Sequence, residues 1–251
     1  MRLKAVVVLL VVGMSAPAQT LDAPIPVPDA FGGLIRPQCL AENTASGTIY
    51  VSGTNICGAA VVAINPSTGE RIARVPVNRD IHALAYNPTN SLLYCADRDD
   101  HAVTIIDTRT NQIIEAVAAE QPAAFAVNAT DNKVYCANPE AGTVTVIDGT
   151  TNTVIGTVPV GGTPVALCHD PTTNRIFCAN QASGTVSVIA CRQDTVIGTL
   201  AVGQNPFALA YNVMRDKVYC LNGDATVSII DGQGLRVLAT VQVGSAPRAI
   251  C

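Results

Sequence analysis

Short runs of alternating apolar and polar residues recur along this chain at a nearly constant spacing. Tyr50-Val51-Ser52, Tyr94-Cys95-Ala96, Tyr135-Cys136-Ala137, Phe177-Cys178-Ala179 and Tyr219-Cys220-Leu221 are equivalent, and their aromatic residues fall 44, 41, 42 and 42 positions apart. A second alternation follows each of them, as in Val103-Thr104-Ile105-Ile106 and Val144-Thr145-Val146-Ile147. A third comes next, as in Val154-Ile155-Gly156-Thr157-Val158. A fourth opens the next unit after a proline, as in Pro206-Phe207-Ala208-Leu209-Ala210. Alternation with a period of two predicts strands with one side chain in and the next out. Four such strands in about 42 residues is the period of a propeller blade.

The punctuation agrees. Asp107-Thr108-Arg109-Thr110-Asn111, Asp148-Gly149-Thr150-Thr151-Asn152 and Asn65-Pro66-Ser67-Thr68-Gly69 read as turns between third and fourth strands. There an Asp or Asn can accept from backbone N–H groups two residues on, and Asn or Gly tolerates positive φ. Val160-Gly161-Gly162-Thr163-Pro164 and Val202-Gly203-Gln204-Asn205-Pro206 end an outer strand and return the chain to the centre. The expected fold is all-β, a propeller of about five four-stranded blades over residues 37–251, with no helix.

At this point the chain resembles a known repeat family. Tyr135-Cys136-Ala137-Asn138, Gly142-Thr143-Val144-Thr145-Val146-Ile147-Asp148-Gly149, Thr151-Asn152-Thr153-Val154-Ile155 and Val160-Gly161-Gly162-Thr163-Pro164 are similar to the YVTN-type β-propeller repeat. The resemblance implies a propeller of the kind found in bacterial and archaeal exported and surface-layer proteins. It implies no activity, because the matching residues build blades and a fold does not settle a function. Cys stands where that family usually has Val after the aromatic residue.

The family commonly has seven blades, whereas five units run here from about Pro37 to Val243. Pro247-Arg248-Ala249-Ile250-Cys251 reads as the first strand of a sixth. Two arrangements stay open: five blades that close, or an incomplete arc with an uncovered sheet face at each end, prone to self-association. Residues 19–36 are Pro-rich and do not resemble missing strands. Ahead of them, Arg2 and Lys4 precede an apolar run over residues 5–12, and Ala16-Pro17-Ala18 carries small residues at both positions that a signal peptidase reads. This predicts a signal peptide over residues 1–18 and an exported product, periplasmic, cell-surface or extracellular. The apolar core is too short to span a bilayer of roughly 30 Å. A net charge of −4 with no basic block argues against nucleic acid as a partner.

Nine cysteines in an exported chain first suggest disulfides. Cys95, Cys136, Cys178 and Cys220 share one repeat position, however, and equivalent positions of stacked sheets lie about 10 Å apart, too far for a bond. They are expected to be small buried hydrophobes between blades. Cys168 and Cys251 occupy an inner-strand position that holds Ala85, Ala126 and Ala210 elsewhere. Cys39, Cys57 and Cys191 break the pattern, and a Cys39–Cys57 disulfide is one option. No C-x-x-C appears, and His82, His101 and His169 sit at non-corresponding positions, so neither a metal nor another cofactor is expected.

Positions that repeat build blades, and positions that vary between copies are free to serve a ligand. The residue that follows the strand-opening position varies most: Gln38, His82, Ala123, Val165, Phe207 and Arg248. Loops between second and third strands open on the same face and vary too, bringing in Asp97, Asp99, His101, Asn138, Glu140 and Asn180. The candidate binding set is therefore Gln38, His82, Asp97, Asp99, His101, Asn138, Glu140, Asn180, Phe207 and Arg248, at the channel mouth and loop face. His82 with Asp80 and Asp99 is a candidate acid–base pair, and Asn128-Ala129-Thr130 matches a glycosylation sequon. No G-x-S-x-G elbow or glycine-rich phosphate loop is present, so no catalytic residue is named. Three readings follow. The leading one is a non-catalytic module that binds a protein or polysaccharide of the cell envelope. The others are a propeller enzyme such as a sugar-lactone hydrolase or quinone-type dehydrogenase, and a fragment without independent function.

Overall fold

The computed structural model of the protein describes residues 34–55, 57–244 and 247–250. The expected signal peptide and most of the Pro-rich segment lie outside them. The described residues contain twenty strands and no helix. The first blade holds β1 (Arg36–Glu42), β2 (Ile49–Asn55), β3 (Gly58–Ile64) and β4 (Arg71–Pro76). The second holds β5 (Ile81–Asn87), β6 (Leu92–Asp97), β7 (Ala102–Asp107) and β8 (Gln112–Ala118). The third holds β9 (Ala124–Asn128), β10 (Lys133–Asn138), β11 (Thr143–Asp148) and β12 (Thr153–Pro159). The fourth holds β13 (Pro164–Asp170), β14 (Arg175–Asn180), β15 (Thr185–Ala190) and β16 (Thr195–Ala201). The fifth holds β17 (Pro206–Asn212), β18 (Lys217–Asn222), β19 (Thr226–Asp231) and β20 (Arg236–Gln242). Each blade is a four-stranded antiparallel meander.

First strands pack on first strands, β1 on β5, β5 on β9, β9 on β13 and β13 on β17, while the fourth strands splay apart. This is propeller geometry. No comparable packing joins β17 to β1, so the described residues form an unclosed arc of five blades. Residues 247–250, expected to open a sixth blade, form no strand.

Four apolar layers lie between the blades, and each repeats one recipe. In the layer between blades three and four, Tyr135, Val144, Val146 and Val158 on one sheet meet Leu167, Ile176, Cys178 and Ile189 on the next. The register explains the division of labour: Tyr135 lies opposite Val146 and Cys136 opposite Thr145, so alternate residues face opposite neighbours. Hereafter the face carrying the aromatic residue is the trailing face, and the face carrying the cysteine is the leading one. Tyr50, Tyr94, Tyr135 and Phe177 are at most 1% exposed. Cys95, Cys136, Cys178 and Cys220 are fully buried and free, as their shared repeat position predicts. Burial pushes the Cys39 thiol up to about 11, and Cys39 and Cys57 are not bonded to each other.

Polar contacts set the angle between blades. The phenol of Tyr50 donates to Asn111 Oδ1 at 2.9 Å, that of Tyr94 to Asn152 Oδ1 at 3.1 Å, and that of Tyr135 to Asp194 Oδ1 at 2.6 Å. Each acceptor sits at the positive-φ corner of the next blade's last turn, with φ of 55°, 55° and 52°. At the fourth interface both partners change together. Phe177 has no hydroxyl, and the corner residue is Leu235, which packs in the same apolar layer despite a φ of 47°. A leucine held there costs about 1–2 kcal/mol of backbone strain, and apolar contact with Phe177 offsets it.

Candidate functional site

The ladders place the loops. β1 begins opposite the end of β2, so the strand-opening residues and the β2–β3-type loops share one face of the arc. On that face four of the five blades carry a β-bulge that skips a residue: Gln38, His82, Val165 and Phe207 each stand outside the ladder. A bulged residue has no cross-strand partner and its side chain is re-aimed. This is the physical reason that the position varies between copies.

One open cleft of about 320 Å³ lies on this face between the second and third blades. It is lined by His82 from the β5 bulge, Arg98, Asp99 and His101 from the β6–β7 turn, Gln121 from the β8–β9 loop and Glu140 from the β10–β11 turn. Arg98 reaches across the blades to Glu140 at 3.4 Å. The backbone turns at positive φ at both His101 (52°) and Gln121 (57°), and the Ala119 N–H donates to the His101 carbonyl at 2.8 Å, tying the two loops together. Gln121 Oε1 is buried and accepts no hydrogen bond.

The structure thus gathers four of the candidate residues, His82, Asp99, His101 and Glu140, around one cleft. It also brings in Arg98 and Gln121, which sequence reasoning did not single out. Arg98 lay inside a loop already flagged as variable; Gln121 carried no local signal, because its role depends on the neighbouring blade. Gln38 is outside the cleft lining and donates to the Asp80 carboxylate at 2.8 Å, while His82 Nδ1 contacts the Asp80 backbone oxygen at 3.0 Å. The Asp80 carboxylate is therefore engaged by Gln38, and His82 meets only its backbone. Phe207 is half-buried and Arg248 exposed, both remote in the chain and outside the cleft lining.

Asn138 and Asn180 are fully buried and committed elsewhere. Asn138 Nδ2 donates to Thr143 and Thr145, and Asn180 Nδ2 to Thr185 and Ser187, with Asn222 repeating the pattern on Thr226 and Ser228. Asn128 of the sequon is likewise buried, its amide bonded to Asp131 and Asn174, which leaves no accessible nitrogen to glycosylate.

Asp97 holds the same repeat position as these asparagines but has no N–H to give. It is 2% exposed, and burial, with the charges of Asp100 and Asp99 added, raises its carboxyl above the ordinary range. Because the folded-state value exceeds the unfolded one, ionisation costs stability as pH rises from about 4 through the raised value. Asp97→Asn is expected to stabilise by about 1 kcal/mol at pH 7, since the amide can donate to the Thr104 hydroxyl as Asn138 does to Thr145. The gain should shrink towards zero near pH 4, below which the carboxyl is protonated in both states. Chemical melts across pH 4–7 check it, and equal stabilities throughout would contradict the argument.

Among the described residues no group of three or more His, Cys, Asp or Glu side chains could hold a metal ion. No helix among them is long and apolar enough to cross a membrane.

No protein-family model matches the chain, and no curated protein matches it in sequence. Solved structures do. A chain of Kuenenia stuttgartiensis hydrazine synthase is similar with a TM-score of 0.61 and 22% identity, over 68% of this chain and 52% of that one. The protein U3-55K is similar with a TM-score of 0.70 and 14% identity, over 82% of this chain and 64% of that one. The chain thus spans less than two thirds of the length of either. At these identities the likeness shows the β-propeller fold alone.

Proposed function

We propose that this chain is an exported, non-catalytic propeller of YVTN type that binds a component of the cell envelope through the cleft between its second and third blades. The observation that carries the reading is the cleft itself. It gathers His82, Arg98, Asp99, His101, Gln121 and Glu140 at the bulges and loops that the repeat leaves free. Cationic, anionic and amide groups stand side by side there. A surface of that kind recognises a hydrated partner through many moderate polar contacts and not through burial of an apolar body. The lining has no Phe, Tyr or Trp to pack against a sugar ring, which favours a polar protein loop over polysaccharide as the partner.

Binding of the purified protein to the envelope fraction of its source cell tests this, with sacculi and membrane proteins assayed separately. Arg98→Ala combined with Glu140→Ala is expected to weaken binding about tenfold, the equivalent of about 1.4 kcal/mol. It should leave the melting temperature within a degree or two, because an exposed ion pair contributes about 0–1 kcal/mol to stability. Unchanged affinity in the double variant would rule out the cleft as the binding site. Export is checked by the N-terminus of the secreted product, expected at Gln19.

A further inference from the structure

We propose that the trailing face of the fifth blade docks on the leading face of the first blade of a second copy, so that the arc assembles head to tail. The argument starts from the four interfaces already present. At all four a trailing-face aromatic is sealed, and at the first three the outer-strand residue behind it is covered, with Val75 4%, Val117 9% and Val158 3% exposed, while Leu200 at the fourth is half-buried. The fifth blade repeats the side chains without the cover. Tyr219, Val227 and Ile229 are half-buried, and Val241 is 47% exposed.

The polar contacts tell the same story. At the start of the second strand, Lys133 reaches the Cys191 carbonyl of the next blade at 2.9 Å, and Arg175 reaches the Gly232 carbonyl. In the second blade Asn90 serves the Gly149 carbonyl at 2.7 Å, and in the first the Tyr50 phenol serves the Thr108 carbonyl at 3.2 Å. Lys217 has no such acceptor ahead of it and folds back on Asp231 and the Asp216 carbonyl of its own blade. The Tyr219 hydroxyl, alone among the four repeat tyrosines, makes no hydrogen bond among the described residues.

What the fifth blade lacks, the first blade offers. Leu40, Ile49 and Val51 occupy the leading-face positions that Leu84, Leu93 and Cys95 fill in the second blade, and they are only half-buried. Val62 and Ile64, further out, are buried already, so the docking surface is the inner part of this face. Pro66 stands where Thr108, Gly149, Cys191 and Gly232 are buried by the blade before them, and it is exposed. Its carbonyl is the acceptor that Lys217 and Tyr219 of a second copy would meet. Gly69 replaces the corner Asn, so the phenol would turn to that carbonyl as the Tyr50 phenol does to Thr108. The two faces differ, hence the contact is heterologous, and each pair formed leaves one free face of each kind.

Sedimentation of the full-length protein over a concentration series is the test. The average mass should rise with concentration beyond that of a monomer. Ile229→Arg spoils the trailing face and Val51→Arg the leading face, and each variant alone should stay monomeric. Mixed in equal amounts, they should form a dimer that grows no further, because each variant keeps the face that the other has lost. That rescue also certifies that both variants are folded. A wild-type protein that remains monomeric at every concentration, or variants that do not combine, would overturn the proposal. Arg98→Ala with Glu140→Ala should assemble like wild type, which separates this interface from the cleft.

Discussion

Asp194→Leu is expected to destabilise the protein by about 3–5 kcal/mol in urea melts at pH 7. Asp194 accepts from two side chains of the preceding blade. One carboxylate oxygen accepts from Lys133 Nζ at 2.6 Å and the other from the Tyr135 phenol at 2.6 Å. Burial and the adjacent carboxylate push the Tyr135 phenol far up, so it stays a donor at any ordinary pH. Removing the carboxylate leaves a half-buried ammonium with only the Cys191 carbonyl, and a buried phenol with no acceptor. Breaking one partner of a buried charge pair is costly because the other is stranded. The neighbouring interface supplies the compensating change. Lys133→Arg, Tyr135→Phe and Asp194→Leu together reproduce the Arg175, Phe177 and Leu235 arrangement, in which the guanidinium is served by the Gly232 and Gln233 carbonyls. The triple variant should recover most of the loss. A cost below about 1 kcal/mol for Asp194→Leu, or a triple variant as unstable as the single one, would refute the account.

Gly161→Ala is expected to cost about 2–3 kcal/mol, towards the upper end of what overpacking produces. A Cβ at Gly161 would lie 2.7 Å from both Cγ and Nδ2 of Asn180. Asn180 cannot yield, because its Nδ2 is held by Thr185 at 3.1 Å and Ser187 at 2.9 Å while its Oδ1 faces the Cys178 thiol at 3.5 Å. The loop that returns the chain to the centre therefore rests directly on the carboxamide. Gly156→Ala is the control: nothing lies within 4 Å of its added carbon, and the change should stay within about 0.5 kcal/mol. Comparable losses for the two would mean that close packing on Asn180 is not the cause.

Much of the fold was legible because its determinants are local. The alternation around Tyr135 and Val144 makes strands wherever it sits. Asp107, Asp148 and Asn65 accept from the backbone N–H two residues on, as the turn chemistry requires. The shared cysteine position predicted four buried thiols for a reason of geometry alone. The variable positions His82, Asp99, His101 and Glu140 were legible as a candidate face because the repeat does not constrain them. Arg98 and Gln121 were not singled out, since a cleft between two blades exists only once the blades are set at their angle.

Asn138, Asn180 and Asp97 show the other side of this. Their place in a variable loop hid that all three side chains are buried and that the two amides are spent on the hydroxyls of the next strand. The pairing of Phe177 with Leu235 is also written in the chain, yet 58 positions separate them. By itself, the sequence determined strand, turn and blade period, because these depend on neighbours a few residues apart. Only the tertiary structure decided which loops converge, which amides are spent on the fold and which apolar residues of the first and fifth blades stay part-exposed among the described residues. Those outcomes depend on the rotation from blade to blade, and that rotation is set by contacts some sixty residues apart, such as Tyr135 with Asp194.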